Sequence, residues 1–176
     1  NHTDNSTEAG SFGASTFSAN VTGLPKGTLI YWKAMAHNSN GMGYGGELIL
    51  LTRPGPPTNA VSTGNTTDSI SLGWTNGEGT DWVEIRYSDV GYPSDNLSGS
   101  LGYWGTDNFT TVAGLHYLTQ YWFTIFNHSY KGGLWSTANA TAYVTDITDN
   151  IGVPSVTTGA ATLVEETTAT LNGTVT

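Results

Sequence analysis

The chain has 176 residues, enough for one large β-sandwich or about two small domains, and its polarity comes from hydroxyl groups, because 44 residues are Ser or Thr and only 11% are charged. Five Lys and Arg against 14 Asp and Glu leave a net charge of −9, which disfavours nucleic acid and anionic membrane surfaces as partners. Without Cys, and without an apolar run near the roughly 18 residues of a membrane helix, the sequence predicts no disulfide, no thiolate chemistry and no membrane-spanning segment.

The periodicity of the chain is that of strands. Short runs rich in Thr, Val, Ile, Tyr and Trp lie between clusters of Gly, Pro and Asn, and no stretch keeps the i, i+3, i+4 apolar spacing of a helix. Apolar and polar residues alternate over residues 70–74, 83–87 and 121–125, which predicts half-buried antiparallel strands. The chain is therefore predicted to be all-β.

Residues 41–46 match the dinucleotide-binding pattern G-x-G-x-x-G letter for letter. That pattern binds phosphate only when a helix follows it, because the helix N-terminus holds the anion. Residues 47–52 instead have the composition of a strand. We therefore predict a hairpin turn at this position and no nucleotide site.

Two segments of the chain, residues 23–39 and 114–129, repeat each other at an offset of 91 residues. Proline-led linkers at 54–58 and 152–157 each precede a further pair of strands. Proline suits a linker or a first strand position, because it has no N–H to give to a ladder. An offset near 90 with short strands predicts tandem β-sandwich modules.

The repeated segment resembles strands E to G of a fibronectin type III domain. Residues 23–28 are followed by alternating apolar positions and then by the Gly-rich hairpin, and the central module resembles this immunoglobulin-like family throughout. The resemblance implies tandem sandwiches, and its motifs mark the fold while saying little about activity. It also implies a set of structural residues: Trp32, Trp74, Tyr87, Leu115, Tyr121 and Phe123.

Within this resemblance, Tyr121 takes the place of the family's corner tyrosine between strands E and F. The first module has Ile30 at the equivalent position. We therefore expect the first corner to be held by packing alone.

The predicted modules are unequal. Residues 1–53 form a partial module with the strands after C, residues 54–146 a complete module, and residues 147–176 strands A and B of a further module. Each end is then an open half-sandwich, whose apolar faces and free edges favour pairing with another chain.

The two open ends are predicted to complement each other. The tail of one copy would complete the head of the next, giving a head-to-tail homopolymer. The apolar residues predicted to drive this assembly are Leu163, Ala169, Leu171 and Val175. The other interpretation is a continuous tandem array, in which the same contacts form within one polypeptide.

Nine of the 14 Asn residues begin an Asn-X-Ser/Thr sequon without proline, whereas composition alone would give about 3.5. They are Asn1, Asn5, Asn20, Asn65, Asn96, Asn108, Asn127, Asn139 and Asn172. A Thr-rich β-protein makes some sequons by composition, but the excess predicts N-glycosylation and an extracellular or cell-surface location. Counted back from Leu24, a strand over this segment turns Val21, Ala19 and Phe17 inward and Asn20 outward. Inward Leu171 and Val175 turn Asn172 outward in the same way. Strand phase turns Asn127 inward unless its strand ends before it.

No motif predicts catalysis or a cofactor other than covalent N-glycans. The four His form no i, i+4 pair, and the adjacent Glu165 and Glu166 would point to opposite sides of an extended chain. The linker residues Asp146, Asp149 and Asn150 offer three side-chain oxygens, too few alone for calcium. An ordinary polar linker is predicted there, with calcium as the alternative.

The sequence thus predicts an extracellular, glycosylated, non-enzymatic subunit or repeat of a surface filament or array. The alternative is a carbohydrate-binding or adhesion module of a larger surface protein. That alternative depends on aromatic residues beyond those needed for a core, namely Tyr103, Trp104, Trp122 and Trp135. Exposed rings of this kind stack on sugars, on a neighbouring subunit or on the chain's own glycan.

Overall fold

The computed structural model describes Thr16, residues 18–136 and residues 138–175 of the chain. Regular structure within these residues is entirely β-strand. The strands are β1 (Leu29–Trp32), β2 (Met35–Asn38), β3 (Gly41–Tyr44), β4 (Leu48–Leu51), β5 (Thr58–Asn65), β6 (Ser69–Thr75), β7 (Trp82–Ser88), β8 (Ser100–Gly105), β9 (Phe109–Ala113), β10 (Gln120–His128), β11 (Tyr130–Lys131), β12 (Leu134–Trp135), β13 (Asn139–Ile147), β14 (Val156–Thr162) and β15 (Thr170–Val175).

Strands β5 to β13 form the central sandwich. One sheet has the order β5-β6-β9 and the facing sheet the order β13-β10-β7-β8, with antiparallel neighbours throughout. A three-stranded sheet facing a four-stranded sheet is the arrangement of fibronectin type III and other immunoglobulin-like sandwiches. The predicted all-β, immunoglobulin-like fold class is confirmed, while the tandem arrangement stays a prediction.

The core of this sandwich comes from period-two alternation on facing strands. On β6, Ile70 and Leu72 are fully buried, and on β10 Phe123 and Ile125 are fully buried. Inward residues must alternate with outward ones because successive side chains of a strand point to opposite faces. The core consists of Ile70, Leu72, Trp74, Val83, Ile85, Val112, Leu115, Tyr121, Phe123, Ile125, Ala142 and Val144, and Tyr87 packs against it.

The corner between β9 and β10 is held by a tyrosine. The hydroxyl of Tyr121 accepts a hydrogen bond from the backbone N–H of His116 at 3.0 Å. The ring of Tyr121 also lies edge-on to Tyr87, with 5.8 Å between centroids. A tyrosine bonded to the backbone a few residues upstream is a feature of immunoglobulin-like corners.

Before the central sandwich lies the head segment, residues 18–53. In it β1 pairs with β4 and β2 with β3, so that it forms one interrupted antiparallel hairpin. The Gly-rich residues 41–46 lie in and just after β3, and the next element is the strand β4. A helix to hold phosphate does not follow.

The head segment departs from the sequence prediction in two places. Residues 18–22, whose alternation predicts a strand, are irregular and exposed, and Phe17 of that series lies outside the described residues. Trp32, predicted as a core residue, is 46% exposed. Both departures have one physical reason: among the residues that the structure describes, the head segment has no facing sheet to pair with the strand and to cover the ring of Trp32.

After the central sandwich lies the tail hairpin, β14 and β15. The two strands pair with each other, and every residue of both is exposed. Residues 149–155, which lead to the hairpin, are exposed as well. The structure places Ile147 and Thr148 with the central sandwich, just beyond the predicted boundary at 146, and the division into modules stays a prediction.

Candidate functional site

The first candidate site is the uncovered inner face of the head segment. Pairing of β1 with β4 puts Ile30 opposite Leu50 and Trp32 opposite Leu48, so these four side chains share one face. Trp32 is 46% exposed, Leu48 56% and Leu50 39%. At the repeat offset, Ile30 and Trp32 are equivalent to Tyr121 and Phe123, which the central sandwich buries to 5% exposure or less.

The tail hairpin carries a second uncovered apolar face. Val156 lies directly opposite Val175, and Leu171 is on the same face of β15 as Val175. These three residues are 67%, 68% and 85% exposed in that order. Of the other residues predicted to drive assembly, Leu163 is 79% exposed and Ala169 is exposed, in the loop between β14 and β15.

The corner of the head segment is held by a hydrogen-bonded threonine, so the expectation of packing alone is wrong. Thr52 Oγ1 accepts a hydrogen bond from the N–H of Thr28 at 2.8 Å and donates to the carbonyl oxygen of Pro25 at 2.7 Å. The backbone N–H of Thr52 also donates to the carbonyl oxygen of Thr28 at 3.1 Å. A side chain 24 residues away thus fixes a corner that lacks the tyrosine.

The central sandwich uses the same threonine clamp. Thr148 Oγ1 accepts from the N–H of Thr119 at 3.0 Å and donates to the carbonyl oxygen of His116 at 2.5 Å. His116 and Thr119 are the repeat equivalents of Pro25 and Thr28. The two repeated segments therefore share this threonine contact as well, although the sequence alignment does not reveal it.

A glycine joint connects the head segment to the central sandwich. The N–H of Gly27 donates to the carbonyl oxygen of Arg53 at 3.0 Å, and the N–H of Gly55 donates to that of Glu78 at 2.7 Å. Gly27 is buried with a φ of +54°, and a Cβ at this position would overlap the carbonyl oxygen of Gly79. Because only glycine allows such close backbone approach, the joint depends on this residue type.

Asn127 departs from the other sequons. It lies inside β10, which continues the inward series, and its side chain is 0% exposed. Its Nδ2 donates to the carbonyl oxygen of Gly55 at 3.0 Å, inside the glycine joint. The folded chain has no room for a glycan there, so Asn127 is withdrawn from the predicted sites on structural grounds.

The remaining sequons differ in exposure. Asn20, Asn65, Asn108 and Asn172 are exposed, and Asn96 and Asn139 are partly buried. Asn139 also donates to the carbonyl oxygen of Pro54 at 2.9 Å. Asn1 and Asn5 lie outside the described residues. Glycosylation of all of these stays a prediction.

The outer face of the four-stranded sheet carries an aromatic cluster. Trp104 stacks on Trp82 with 5.9 Å between ring centroids and lies 5.6 Å from Trp135, which in turn lies 4.6 Å from Tyr130. Trp104 is 44% exposed, Trp135 49% and Tyr130 45%. The cluster therefore presents ring faces to solvent while the rings fix one another in place.

Sequence reasoning identified only part of this cluster. Trp104 and Trp135 were predicted, but Tyr103 lies against the core, 5.9 Å from Trp74, and Trp122 is only partly exposed. The alternation of β7 could have revealed Trp82, since Val83 and Ile85 point inward. Tyr130 is brought to the cluster by the hairpin of β11 and β12, which no periodicity predicted.

Charged groups lie beneath the cluster. The carboxylate of Glu84 is almost fully buried, with Oε1 2.6 Å from Nε of Arg86 and Oε2 3.0 Å from Nε2 of His128. Burial lowers the pKa of His128 below its ordinary value, and the Glu84 carboxylate opposes that shift. The histidine ring also contacts Trp104 with 5.3 Å between centroids.

Two of the three side chains that could bind calcium in the alternative interpretation, Asp146 and Asn150, accept hydrogen bonds from the protein. Asp146 accepts from the hydroxyl of Ser62 and from the N–H of Ile147, and Asn150 accepts from the N–H of Gly152. Across the residues that the structure describes, no three His, Asp or Glu side chains lie close enough to hold a metal ion. These residues also contain no helix long and apolar enough to cross a membrane.

Comparison with known proteins finds similarity to fibronectin type III structures. The fibronectin type III domain of human fibronectin type III domain containing protein 3 is 23% identical over 55% of this chain and 86% of that one, with a TM-score of 0.42. Domains FN1–FN3 of chicken CNTN1 are 15% identical over 73% and 45%, with a TM-score of 0.43.

A three-domain titin fragment is 16% identical over 68% of this chain, with a TM-score of 0.42, and this chain spans only 41% of it. No family model matches the chain. No curated protein matches it either.

Proposed function

We propose that this chain is a non-enzymatic, N-glycosylated structural subunit or repeat of an extracellular filament or array. In it, the tail hairpin of one copy completes the head segment of the next. The observation that carries the proposal is the pair of exposed apolar faces at the two ends. The same sequence motifs in the central sandwich are buried against each other.

The driving force is the burial of these faces. Removing apolar surface from water contributes about 25 cal/mol per Å². The rings and aliphatic side chains that would be covered are led by Trp32, Leu48, Leu171 and Val175, each at least 46% exposed in the single chain. A head that joins a different surface, the tail, makes a heterologous contact, and such contacts build open filaments unless the rotation closes a ring.

Electron microscopy of the purified protein tests the proposal. Long uniform filaments are expected from the native chain, and deletion of residues 168–176 is expected to leave monomers because it removes β15. Filaments that persist after the deletion would contradict strand exchange.

A pair of point variants provides a matched control. Leu171→Asp places a charge on the tail hairpin's apolar face and should abolish filaments. Val153→Asp adds the same charge to the linker, where the native side chain is 93% exposed, and should leave filaments intact. Loss of filaments in both variants would show that added charge, and not the hairpin face, prevents assembly.

Glycosylation is the support for an extracellular location. In protein from the native source, the peptides that contain the sequons should be heavier than their bare sequences. Peptide mapping should find glycan on exposed sequons such as Asn65 and Asn108, and none on Asn127. Bare masses for all sequon peptides would remove this part of the proposal.

A second candidate function is carbohydrate binding by the aromatic cluster. It is favoured by three neighbouring rings, each 44% to 49% exposed, which fix one another without a ligand. Soluble polysaccharide should then quench the tryptophan fluorescence of the native chain, and Trp135→Ala should weaken binding at least tenfold. Tyr31→Ala removes an aromatic ring that is 54% exposed on the head segment, and binding should be unchanged.

A further inference from the structure

The central sandwich shows how its second and fifth strands pair. In the antiparallel ladder of β6 and β9, Ile70 lies opposite Val112 and Ser71 opposite Thr111. Ile70 and Val112 point into the core and are at most 3% exposed. The hydroxyls of Ser71 and Thr111 bond to each other at 2.8 Å on the outer face.

The head segment contains the counterpart of β9, and no described strand pairs with it. At the repeat offset, residues 18–22 are equivalent to β9, and Val21 to Val112. Val21 is 50% exposed, and residues 18–22 are irregular. An isolated strand cannot form without a partner for its backbone N–H and C=O groups.

The tail hairpin contains the counterpart of β6 without a facing strand. The series Ser69, Ile70, Ser71 recurs as Thr170, Leu171, Asn172. The hairpin registers agree with this alignment, since Gly64 lies opposite Ser71 and Gly159 lies opposite Asn172. Strand β15 therefore presents an outer edge equivalent to the edge with which β6 holds β9.

We propose that β15 pairs antiparallel with residues 18–22 of a second copy, in the register that places Leu171 opposite Val21 and Asn172 opposite Asn20. The partner is thus a defined segment of the same chain. This proposal rests on the strand-exchange function above and specifies the strand, the direction and the register.

The register has consequences for both faces of the new ladder. Leu171 and Val21 take the places of Ile70 and Val112, and they are covered by the inner face of the completed sandwich. Asn172 and Asn20 take the places of Ser71 and Thr111 on the outer face. Both begin sequons, so their glycans project to solvent and leave the pairing free.

The absence of Cys in the chain makes the register testable by cross-linking. Residues directly opposite in an antiparallel ladder have Cα atoms about 4.5–5.5 Å apart, within the range of a disulfide. The double variant Val21→Cys with Leu171→Cys, assembled and mildly oxidised, should give a ladder of covalent multimers on a denaturing gel. The ladder should collapse to monomers on reduction.

A slipped pair is the matched control. Ala19→Cys with Leu171→Cys keeps both thiols on the inner face, but the Cα atoms are then diagonal neighbours about 7–8 Å apart, too far for a disulfide. This variant should stay monomeric on the gel. A ladder from the slipped pair without one from the direct pair would overturn the register.

Single-cysteine chains separate the remaining outcomes. A mixture of Val21→Cys chains and Leu171→Cys chains should yield cross-linked dimers, which shows that the contact joins two copies. If filaments of these chains are visible by microscopy but no dimer forms, the register is overturned while strand exchange stands. Failure of the native chain to form filaments overturns both. An internally linked monomer from the double variant shows contact within one chain and overturns the pairing between copies.

Discussion

The central sandwich and the head segment contain the same motifs but reach different degrees of burial. Each has a corner held by a threonine clamp and a strand of alternating inward residues. Yet Phe123 is fully buried whereas its equivalent Trp32 is 46% exposed. The head segment therefore forms its hairpin and corner from its own residues, but a second sheet is needed to cover its inner face.

The two linkers also differ in how far they are buried. Pro54, Gly55 and Pro57 are buried in the glycine joint, whereas residues 149–155 are exposed. The repeat equivalent of Gly27 at the second linker is Leu118, which also has a positive φ, +48°, but is 62% exposed. The N–H of Leu118 donates to the carbonyl oxygen of Asp149 at 3.2 Å, as that of Gly27 does to Arg53, but a leucine cannot accept the close backbone approach that Gly27 makes to Gly79.

The largest expected effect comes from removing a large side chain from the inner face of each region. Phe123→Ala should lower the free energy of unfolding by about 3–5 kcal/mol, because it leaves a cavity in a closed core. Trp32→Ala should lower the stability of the monomer by less than half as much, because 46% of the residue is already exposed and no closed core surrounds it. Urea unfolding followed by circular dichroism measures both.

In filament assembly the order of the two variants is reversed, and Trp32→Ala should have a larger effect than Phe123→Ala. Trp32→Ala should reduce filament formation while leaving the monomer folded. Equal losses of monomer stability in both variants would mean that the head face is already covered in solution.

The next test concerns the glycine joint. Gly27→Ala forces a Cβ onto the Gly79 carbonyl oxygen and a side chain into the left-handed region, whereas Gly23→Ala has a φ of +74° but nothing within 4 Å of the added Cβ. The left-handed conformation alone costs about 1–2 kcal/mol. Overlap with the backbone should add about 1–3 kcal/mol for Gly27→Ala.

Hydrogen exchange at the amide of Gly55 locates the effect. This amide donates to Glu78 inside the joint. It should exchange faster in Gly27→Ala and at the native rate in Gly23→Ala. Equal exchange in the two variants would mean that the joint does not depend on close backbone approach.

The threonine clamps provide a smaller test. Thr148→Val keeps the shape of the side chain but leaves the N–H of Thr119 unpaired at a partly buried corner, which should cost about 1–3 kcal/mol. Thr52→Val should cost less, because water reaches the corner of the head segment. Exchange rates of the Thr119 and Thr28 amides report each clamp separately, and a larger effect at Thr28 would contradict the difference in burial.

The alternation of the sequence was sufficient to predict the strands of the central core. Residues 70–74, 83–87 and 121–125 lie within β6, β7 and β10, and the resemblance placed Tyr121 at its corner. These features depend on neighbours in sequence or on a repeated motif. Periodicity therefore carries them directly.

Features that depend on distant residues could not be predicted in the same way. The bond from Thr52 to Pro25 spans 27 residues, and the aromatic cluster depends on a hairpin that brings Tyr130 to Trp135. The strand predicted at residues 18–22 is irregular because strand formation needs a partner as well as a pattern. The orientation predicted for Asn127 depended on where its strand ends. Because β10 runs to His128, Asn127 lies within the strand and points inward.

The smallest expected effect is a dependence of the central sandwich on pH. His128 is 5% exposed, and this burial lowers its pKa. The Glu84 carboxylate beside it opposes the shift but does not reverse it. Arg86 is bound to the other oxygen of that carboxylate. The unfolded chain, with the ordinary histidine pKa near 6.5, therefore binds more protons than the folded chain as the pH falls through this region. The stability contributed by neutral His128 is fully present above about pH 6.5 and is lost as the pH falls toward the lowered pKa.

Urea midpoints should accordingly decline between about pH 7 and pH 5, and His128→Gln should flatten the decline. His37→Gln removes an exposed histidine of the head segment and should keep the native slope, so a flattened slope in this control would assign the effect to the wrong region of the molecule.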